Sequence, residues 1–311
     1  MGGDSRRRAS LEEMLDRFPT VEARMQRVFG LRLPRHCAVF AALWASAQQD
    51  AAEREALFEL GFAPWGISDY FRNDGVDLAG RDGLDERLHC RFRQDPAEFV
   101  TVASGSSDGL HYGLWYDDPA ELPTFIAYNY AGDSAETWTS GYTTMLGEMW
   151  SVLEQGIKRP GQEASLLMPL ADALEWFTGP DQEALAADGE PRWIDTDRTD
   201  GLISIFPILP ANSGDPRVAQ AAQRLAGFNS LSSAGDGWIA DARHELAAGL
   251  PAYALAIGME LHWLDLDEYR AAGRDLLIGA YRVLGRDALA EIAAVHADWR
   301  DLADVEVLKR A

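Results

Sequence analysis

The stretch from residue 87 to residue 130 constrains the fold more than any other part of the chain. Four short runs in it, residues 87–93, 98–103, 110–116 and 124–130, have the period-two alternation or the β-branched and aromatic composition of strands. Turn-forming residues separate the runs, among them Asp95-Pro96, Asp108-Gly109 and Asp117-Asp118. Short strands joined by tight turns predict an antiparallel β-meander.

Helical patterns flank this stretch on both sides. Ser10 and Glu13 fit a capping box, and Pro19 is expected to divide the N-terminal helical region. Apolar residues recur at helical spacing over 269–284 and 289–299, and an apolar run at 201–207 predicts one short strand. We therefore predict an α+β protein with a helical N-terminal part, a central antiparallel β-meander and a mostly helical C-terminal part. We place the boundary between an N-terminal region that contains the meander, residues 1–160, and a C-terminal region, residues 161–311.

The charge of the chain limits its partners. The formal net charge is −22, which argues against direct binding of nucleic acid or anionic membrane and favours a basic partner. The only cysteines are Cys37 and Cys90, with neither a CxxC motif nor a Cys/His cluster, so we expect a reducing, cytoplasmic location and no bound metal. No apolar run approaches the roughly 20 residues of a membrane span, and no glycine-rich phosphate motif predicts a directly bound cofactor.

His111 is the first candidate for chemistry. It lies in the third predicted strand on the face that also carries Gly113 and Trp115, between Asp108 and Asp117. If this face lines a cleft, His111 and one of the two aspartates would serve a stand-alone hydrolase or transferase. The structural alternative is that His111 forms a hydrogen bond across the sheet and that Gly113 relieves a crowded strand crossing.

Two further candidates are a pair of carboxylates and an acidic–basic pair. Asp95 and Glu98 lie on either side of Pro96; we favour a turn-capping role for Asp95, since acid–base work would require both carboxylates to line a cavity. His244 and Glu245 precede the apolar run at 250–261, either at the mouth of a helix or on its exposed start.

The order of turn and strand markers resembles the core signature of the histone PARylation factor family, whose bacterial members are usually named ADP-ribosylation family proteins. Segments 29–34 and 258–261 are similar to the family's entry segment and to the start of its C-terminal helices. The residues that carry the core signature are Asp95, Pro96, Glu98, Phe99, Asp108, Gly109, His111, Gly113, Trp115, Asp117 and Asp118.

The resemblance implies an accessory function. Animal members of the family bind the catalytic domain of a poly(ADP-ribose) polymerase and insert an acidic residue, which acts as general base on a serine hydroxyl while ADP-ribose leaves NAD. By this resemblance we expect a bacterial-type protein that modulates ADP-ribosyl transfer by binding an ADP-ribosyltransferase, is not an enzyme as an isolated chain, and meets NAD only as the partner's co-substrate.

The resemblance also suggests where the base would lie. In the family it belongs to an Asp-Glu pair that precedes a Gly-Met-Asp-Leu-Phe segment. Residues 258–262 match that segment, but no Asp-Glu pair precedes them, and Glu245, next to His244, is the nearest candidate. The family's partner-contacting Tyr-Arg pair has no clear match near residues 201–217.

A different class of function is also consistent with the composition. A compact acidic α+β protein could neutralise a basic toxin through electrostatic complementarity, as an immunity protein. Strong salt sensitivity of a complex with a cationic partner would favour this alternative over the accessory factor.

Overall fold

The fold is α+β, as predicted, with helices on both sides of a central antiparallel sheet. The computed structural model describes residues 2–159, 163–198, 201–210 and 215–310. The predicted boundary between residues 160 and 161 lies outside the described residues. The helices are α1 (Gly3–Phe29), α2 (His36–Ala47), α3 (Ala51–Leu60), α4 (Met145–Lys158), α5 (Ala164–Asp188), α6 (Ala221–Asn229), α7 (Ser233–Ala247), α8 (Pro251–Leu264), α9 (Arg270–Val283) and α10 (Asp287–Asp298). The strands are β1 (Ala63–Pro64), β2 (Leu78–Gly80), β3 (Phe99–Ser104), β4 (Leu110–Trp115), β5 (Phe125–Tyr130), β6 (Thr137–Thr139) and β7 (Leu308–Arg310).

The first helix is longer than its local signals predicted. Ser10 is buried inside α1 instead of capping it, and the helix continues through Pro19. The reason is a tertiary contact of the first turns. The buried guanidinium of Arg6 donates to Glu53 at 2.7 Å and to Asp50 at 3.0 Å, which holds the start of α1 against α3 and its N-cap.

The central sheet has the strand order β1-β3-β4-β5-β6, with antiparallel neighbours throughout. Three of the four predicted meander strands are confirmed as β3, β4 and β5. Leu114 pairs with Val100 on one side and with Ile126 on the other, and the face of β4 that carries Leu114 lies in the main core. The opposite face carries a smaller buried cluster that includes Trp115 and Phe125, whose rings stack at 6.2 Å.

The prediction of a strand at residues 87–93 is wrong. Cys90 has a φ of 55°, which is left-handed and does not belong in a strand. Its N–H donates to the carbonyl of Val305 at 2.7 Å, so a distant part of the chain holds this turn. The side chain of Arg91 is buried and donates to the carbonyl of Phe99 at 2.7 Å. The alternation therefore belongs to a buried loop, and β1 takes the predicted place beside β3.

The segment at 201–207 also differs from the predicted strand. Ser204 forms a single parallel bridge with Thr137 of β6, and the rest of the segment is irregular. Because the segment pairs with only one residue of β6, it does not add a strand to the sheet. Among the described residues, no helix is long and apolar enough to cross a membrane.

Candidate functional site

The meander places His111 in a buried hydrogen-bond network. The side chain is 0% exposed, with Nε2 3.0 Å from Oδ1 of Asp95 and Nδ1 2.7 Å from the carbonyl oxygen of Gly109. Asp95 also accepts from the N–H of Phe92 at 2.8 Å and thereby fixes the loop before β3. The prediction that the His111 face lines an open cleft is wrong, because the ring is fully buried and both of its nitrogens already have hydrogen-bond partners.

Glu98 forms a second buried link. Both of its carboxylate oxygens lie 2.9 Å from the hydroxyl of Tyr281 in α9, and both residues are buried. Burial raises the pKa of Glu98 to about 7, although the hydrogen bond from Tyr281 acts in the opposite direction. The carboxyl thus connects the start of the sheet to the C-terminal helices.

Asp117 is the most completely bonded carboxylate of the motif. It accepts from Thr124 Oγ1 at 2.6 Å, from Arg198 at 2.5 and 2.8 Å, and from the N–H of Ile208 at 3.0 Å. Burial alone would raise the pKa of Asp117, but the bonds from Arg198, Thr124 and the Ile208 backbone outweigh it and lower that pKa. Its role is to tie the end of β4 to Arg198 and to the backbone of Ile208.

The remaining motif residues shape turns and close contacts. Asp108 and Gly109 take φ values of 50° and 67° in the turn before β4. A Cβ on Gly113 would lie 2.5 Å from the carbonyl oxygen of Val100, so β3 approaches too closely for a side chain. Asp118 caps the next turn by accepting from the N–H of residue 120 at 3.0 Å. Two further members contribute a carbonyl and a ring: Pro96 accepts from Arg91 at 2.8 Å, and Phe99 packs edge-on against His111 at 5.1 Å.

Glu245 lies elsewhere, near the end of α7. Its side chain is 23% exposed and accepts from Nη2 of Arg217 at 2.5 and 2.6 Å. The guanidinium of Arg217 lies 4.0 Å from the ring centre of Tyr253 in α8 and is also bonded to Asp215. His244 is exposed at the preceding position of the helix. The structure therefore brings Glu245 to a cation that the sequence analysis did not identify.

A buried ion pair holds the backbone at Arg217. Arg224 of α6 donates to Glu260 of α8 at 2.6 Å, and both are almost completely enclosed. Nη1 of Arg224 also donates to the backbone carbonyl of Arg217 at 2.5 Å. Glu260 belongs to the 258–262 segment, so that segment anchors the turn that presents Arg217 to Glu245. Burial raises the pKa of Glu260, and Arg224 opposes that shift.

The Glu245–Arg217 pair differs from the motif carboxylates in its exposure. It is partly exposed, whereas the motif carboxylates Asp95, Glu98 and Asp117 are enclosed. Arg217 was missed because its spacing from Glu245 follows neither helical nor strand periodicity. The turn signal Asp215-Pro216, in which Asp215 accepts from the N–H of Arg217 at 2.8 Å, is the only local cue to its position. Among the described residues, no group of three or more His, Cys, Asp or Glu side chains could hold a metal ion.

Comparison with known proteins defines the class. The family model described as Histone PARylation factor 1 matches residues 20–177, which contain part of α1, the whole meander and more than half of α5. This α+β chain, with its enclosed Asp95–His111 network, therefore belongs to the Histone PARylation factor 1 family. The Histone PARylation factor 1 of Bos taurus is 24% identical to it over 249 residues, which cover 72% of this chain and 71% of the bovine protein. Glu245 and Arg217 lie beyond the residues that the family model matches.

Proposed function

We propose that the protein is an accessory factor that binds an ADP-ribosyltransferase and modulates its ADP-ribosyl transfer. Membership of the Histone PARylation factor 1 family supports this function, because the bovine relative is named for PARylation of histones. In this proposal the isolated chain performs no transfer. NAD is bound by the partner, and this chain contributes a side chain to the partner's active site.

Glu245 is the side chain that we propose to enter that site. Serine hydroxyls are poor nucleophiles until a positioned base removes the proton. The observation that carries the proposal is the partly exposed carboxylate of Glu245, which Arg217 orients. Arg217 is also bonded to Asp215, which holds in place the guanidinium that orients Glu245. His244, exposed beside it, would contact the docked partner.

Two alternatives have less support. Neutralisation of a basic toxin rests on the net charge, which does not distinguish a toxin from any other basic partner. A stand-alone enzyme would need the His111 face to be open, and that ring is enclosed. Bacterial origin and a cytoplasmic location stay predictions.

The test is reconstitution with a poly(ADP-ribose) polymerase, NAD and a basic protein substrate. Serine-linked ADP-ribose is quantified by mass spectrometry with the wild-type chain and with Glu245→Gln. Removal of a general base is expected to reduce the stimulated serine modification by about 100-fold or more. Glu183→Gln is the matched control, because it removes the same charge from an exposed position of α5.

Binding must be measured in the same series. Glu245→Gln should bind the transferase with about the wild-type affinity, since glutamine keeps the size of the side chain and the change removes only the base. Full serine modification with Glu245→Gln would overturn the catalytic assignment of this residue. Absence of any complex between the wild-type chain and transferases of this class would overturn the accessory function itself.

A further inference from the structure

A groove between the start of α4 and the C-terminal half of α5 has an unusual lining. It is open to solvent and has a volume of about 610 Å³. Its polar and aromatic lining residues include Tyr142, Trp150, Glu175, Thr178, Asp181 and Gln182. None of the lining residues belongs to α7 or α8, so this groove is separate from the Glu245 site.

Asp181 is the unusual member of the lining. It is 4% exposed, and its Oδ2 accepts from the Thr144 hydroxyl at 2.7 Å. Its other oxygen, Oδ1, is buried and has no hydrogen-bond partner in the part of the chain that the structure describes. Burial raises the pKa of Asp181 to about 6, and the hydrogen bond from Thr144 opposes that shift. A buried carboxylate oxygen without a hydrogen-bond donor is unfavourable, so binding of a donor group from another molecule would stabilise it.

The rest of the lining indicates which donor fits. Glu175 adds an exposed carboxylate, and no lysine or arginine is among the lining residues. Tyr142 is exposed and Trp150 is half-buried, so both place an aromatic ring in the lining, and aromatic rings attract cations. A guanidinium has several N–H donors and stacks on aromatic rings, which matches both features.

We propose that this groove binds an arginine side chain of an extended basic protein segment, with the guanidinium donating to Asp181. The volume exceeds what one side chain fills, so neighbouring residues of the segment would occupy the remainder. The net charge of −22 would attract such a segment over a distance. The proposal concerns a second contact surface and does not depend on the function of Glu245.

The experiment measures fluorescence anisotropy of a short labelled peptide of alternating glycine and arginine. The expected result is saturable binding to the full chain, with little binding of a glycine–glutamine peptide of equal length. Asp181→Asn, which removes the charge and keeps the size of the side chain, should weaken binding by about tenfold or more. Because this change also touches the buried bond to Thr144, Glu175→Gln serves as a second variant that leaves the interior unchanged and should weaken binding about threefold.

Glu183→Gln distinguishes a built site from general attraction. It removes one exposed charge from the same helix but does not line the groove. Wild-type affinity in Glu183→Gln, with losses in the other two variants, supports the groove. Equal losses in all three variants, unchanged affinity in both groove variants, or no binding of the arginine peptide to the wild-type chain would each overturn the proposal.

Discussion

The hydroxyl of Tyr281 donates to the carboxylate of Glu98 across 183 positions of sequence, at 2.9 Å from both oxygens. Glu98 immediately precedes β3, and Tyr281 lies in α9. Neither side chain reaches solvent. This hydrogen-bonded contact therefore joins the sheet to the C-terminal helices. Substitutions in the pair should measure how much the contact between these two parts of the chain contributes to stability.

Tyr281→Phe should destabilise the protein. The phenyl ring keeps the packing, but the buried carboxyl loses the hydroxyl donor, which costs about 1–3 kcal/mol in free energy of unfolding. Urea denaturation followed by circular dichroism measures the change. Tyr142→Phe is the control, because Tyr142 is exposed and its loss of a hydroxyl should change stability by no more than about 0.5 kcal/mol. Equal effects of the two substitutions would contradict a special role for the Tyr281 hydroxyl.

The raised pKa of Glu98 predicts that the stability of the folded protein depends on pH. Burial raises its pKa from an ordinary value of 4.5 to about 7, so the folded protein binds a proton that the unfolded chain has already lost. Its contribution to stability is therefore full below about pH 4.5 and decreases until about pH 7, by a total on the order of 3 kcal/mol. Glu98→Gln should remove this decrease, while the amide oxygen of the new side chain still accepts from Tyr281.

The measurement for Glu98 is the difference between the pH profiles of the two proteins. Urea unfolding of the wild-type chain and of Glu98→Gln is compared from pH 4.5 to pH 8, so that groups common to both cancel. The variant should gain stability relative to the wild type as pH rises. A constant difference across this range would mean that Glu98 titrates normally in the folded protein.

Local sequence signals predicted the meander well and the flanking segments less well. Strands β3 to β5 follow from their composition and from turns such as Asp108-Gly109, because in them the local preference agrees with the tertiary structure. Residues 87–93 show the same alternation, but Cys90 turns to bond with Val305, which no local pattern reveals. Likewise the contact of Arg6 with Glu53 extends α1 beyond the cap predicted at Ser10.

Gly113→Ala should disturb β4 at its closest contact with β3. The added Cβ would lie 2.5 Å from the carbonyl oxygen of Val100, which belongs to the backbone and has little freedom to move. Overpacking of this kind costs about 1–3 kcal/mol, measured as the shift of the urea midpoint. Gly237→Ala in α7 is the matched control, since nothing lies within 4 Å of its added Cβ and alanine favours a helix. A loss of stability in the control and none in Gly113→Ala would contradict the crowded crossing.

The candidate site was harder to predict than the scaffold. Asp95, His111 and Asp117 stand out in the sequence because turn and strand markers surround them, and the structure encloses all three. Glu245 was selected through a family resemblance, whereas its partner Arg217 lies on a different element and becomes visible only once α6, α7 and α8 have packed. Pairings between distant surface residues leave no periodic signal, so sequence reasoning finds the scaffold before it finds the site.

Arg217→Ala should separate stability from accessory function. Arg217 is about one-third exposed, and an ion pair of this exposure contributes at most about 1 kcal/mol to the free energy of unfolding. Removal of the guanidinium nevertheless frees Glu245 to adopt other rotamers, and loss of orientation is expected to lower stimulated serine ADP-ribosylation by about tenfold or more. The two readouts are urea unfolding and the reconstituted transfer assay.

Arg217→Lys refines this prediction. The ammonium keeps the charge but not the planar group that bonds Asp215 and Glu245 together, so activity should be intermediate between those of Arg217→Ala and the wild type. If only charge mattered, the lysine variant would match the wild type, and orientation by the guanidinium would be the wrong explanation. If Arg217→Ala stimulated transfer as well as the wild type, Glu245 would need no orientation by Arg217, and the assignment of the base would depend on Glu245→Gln alone.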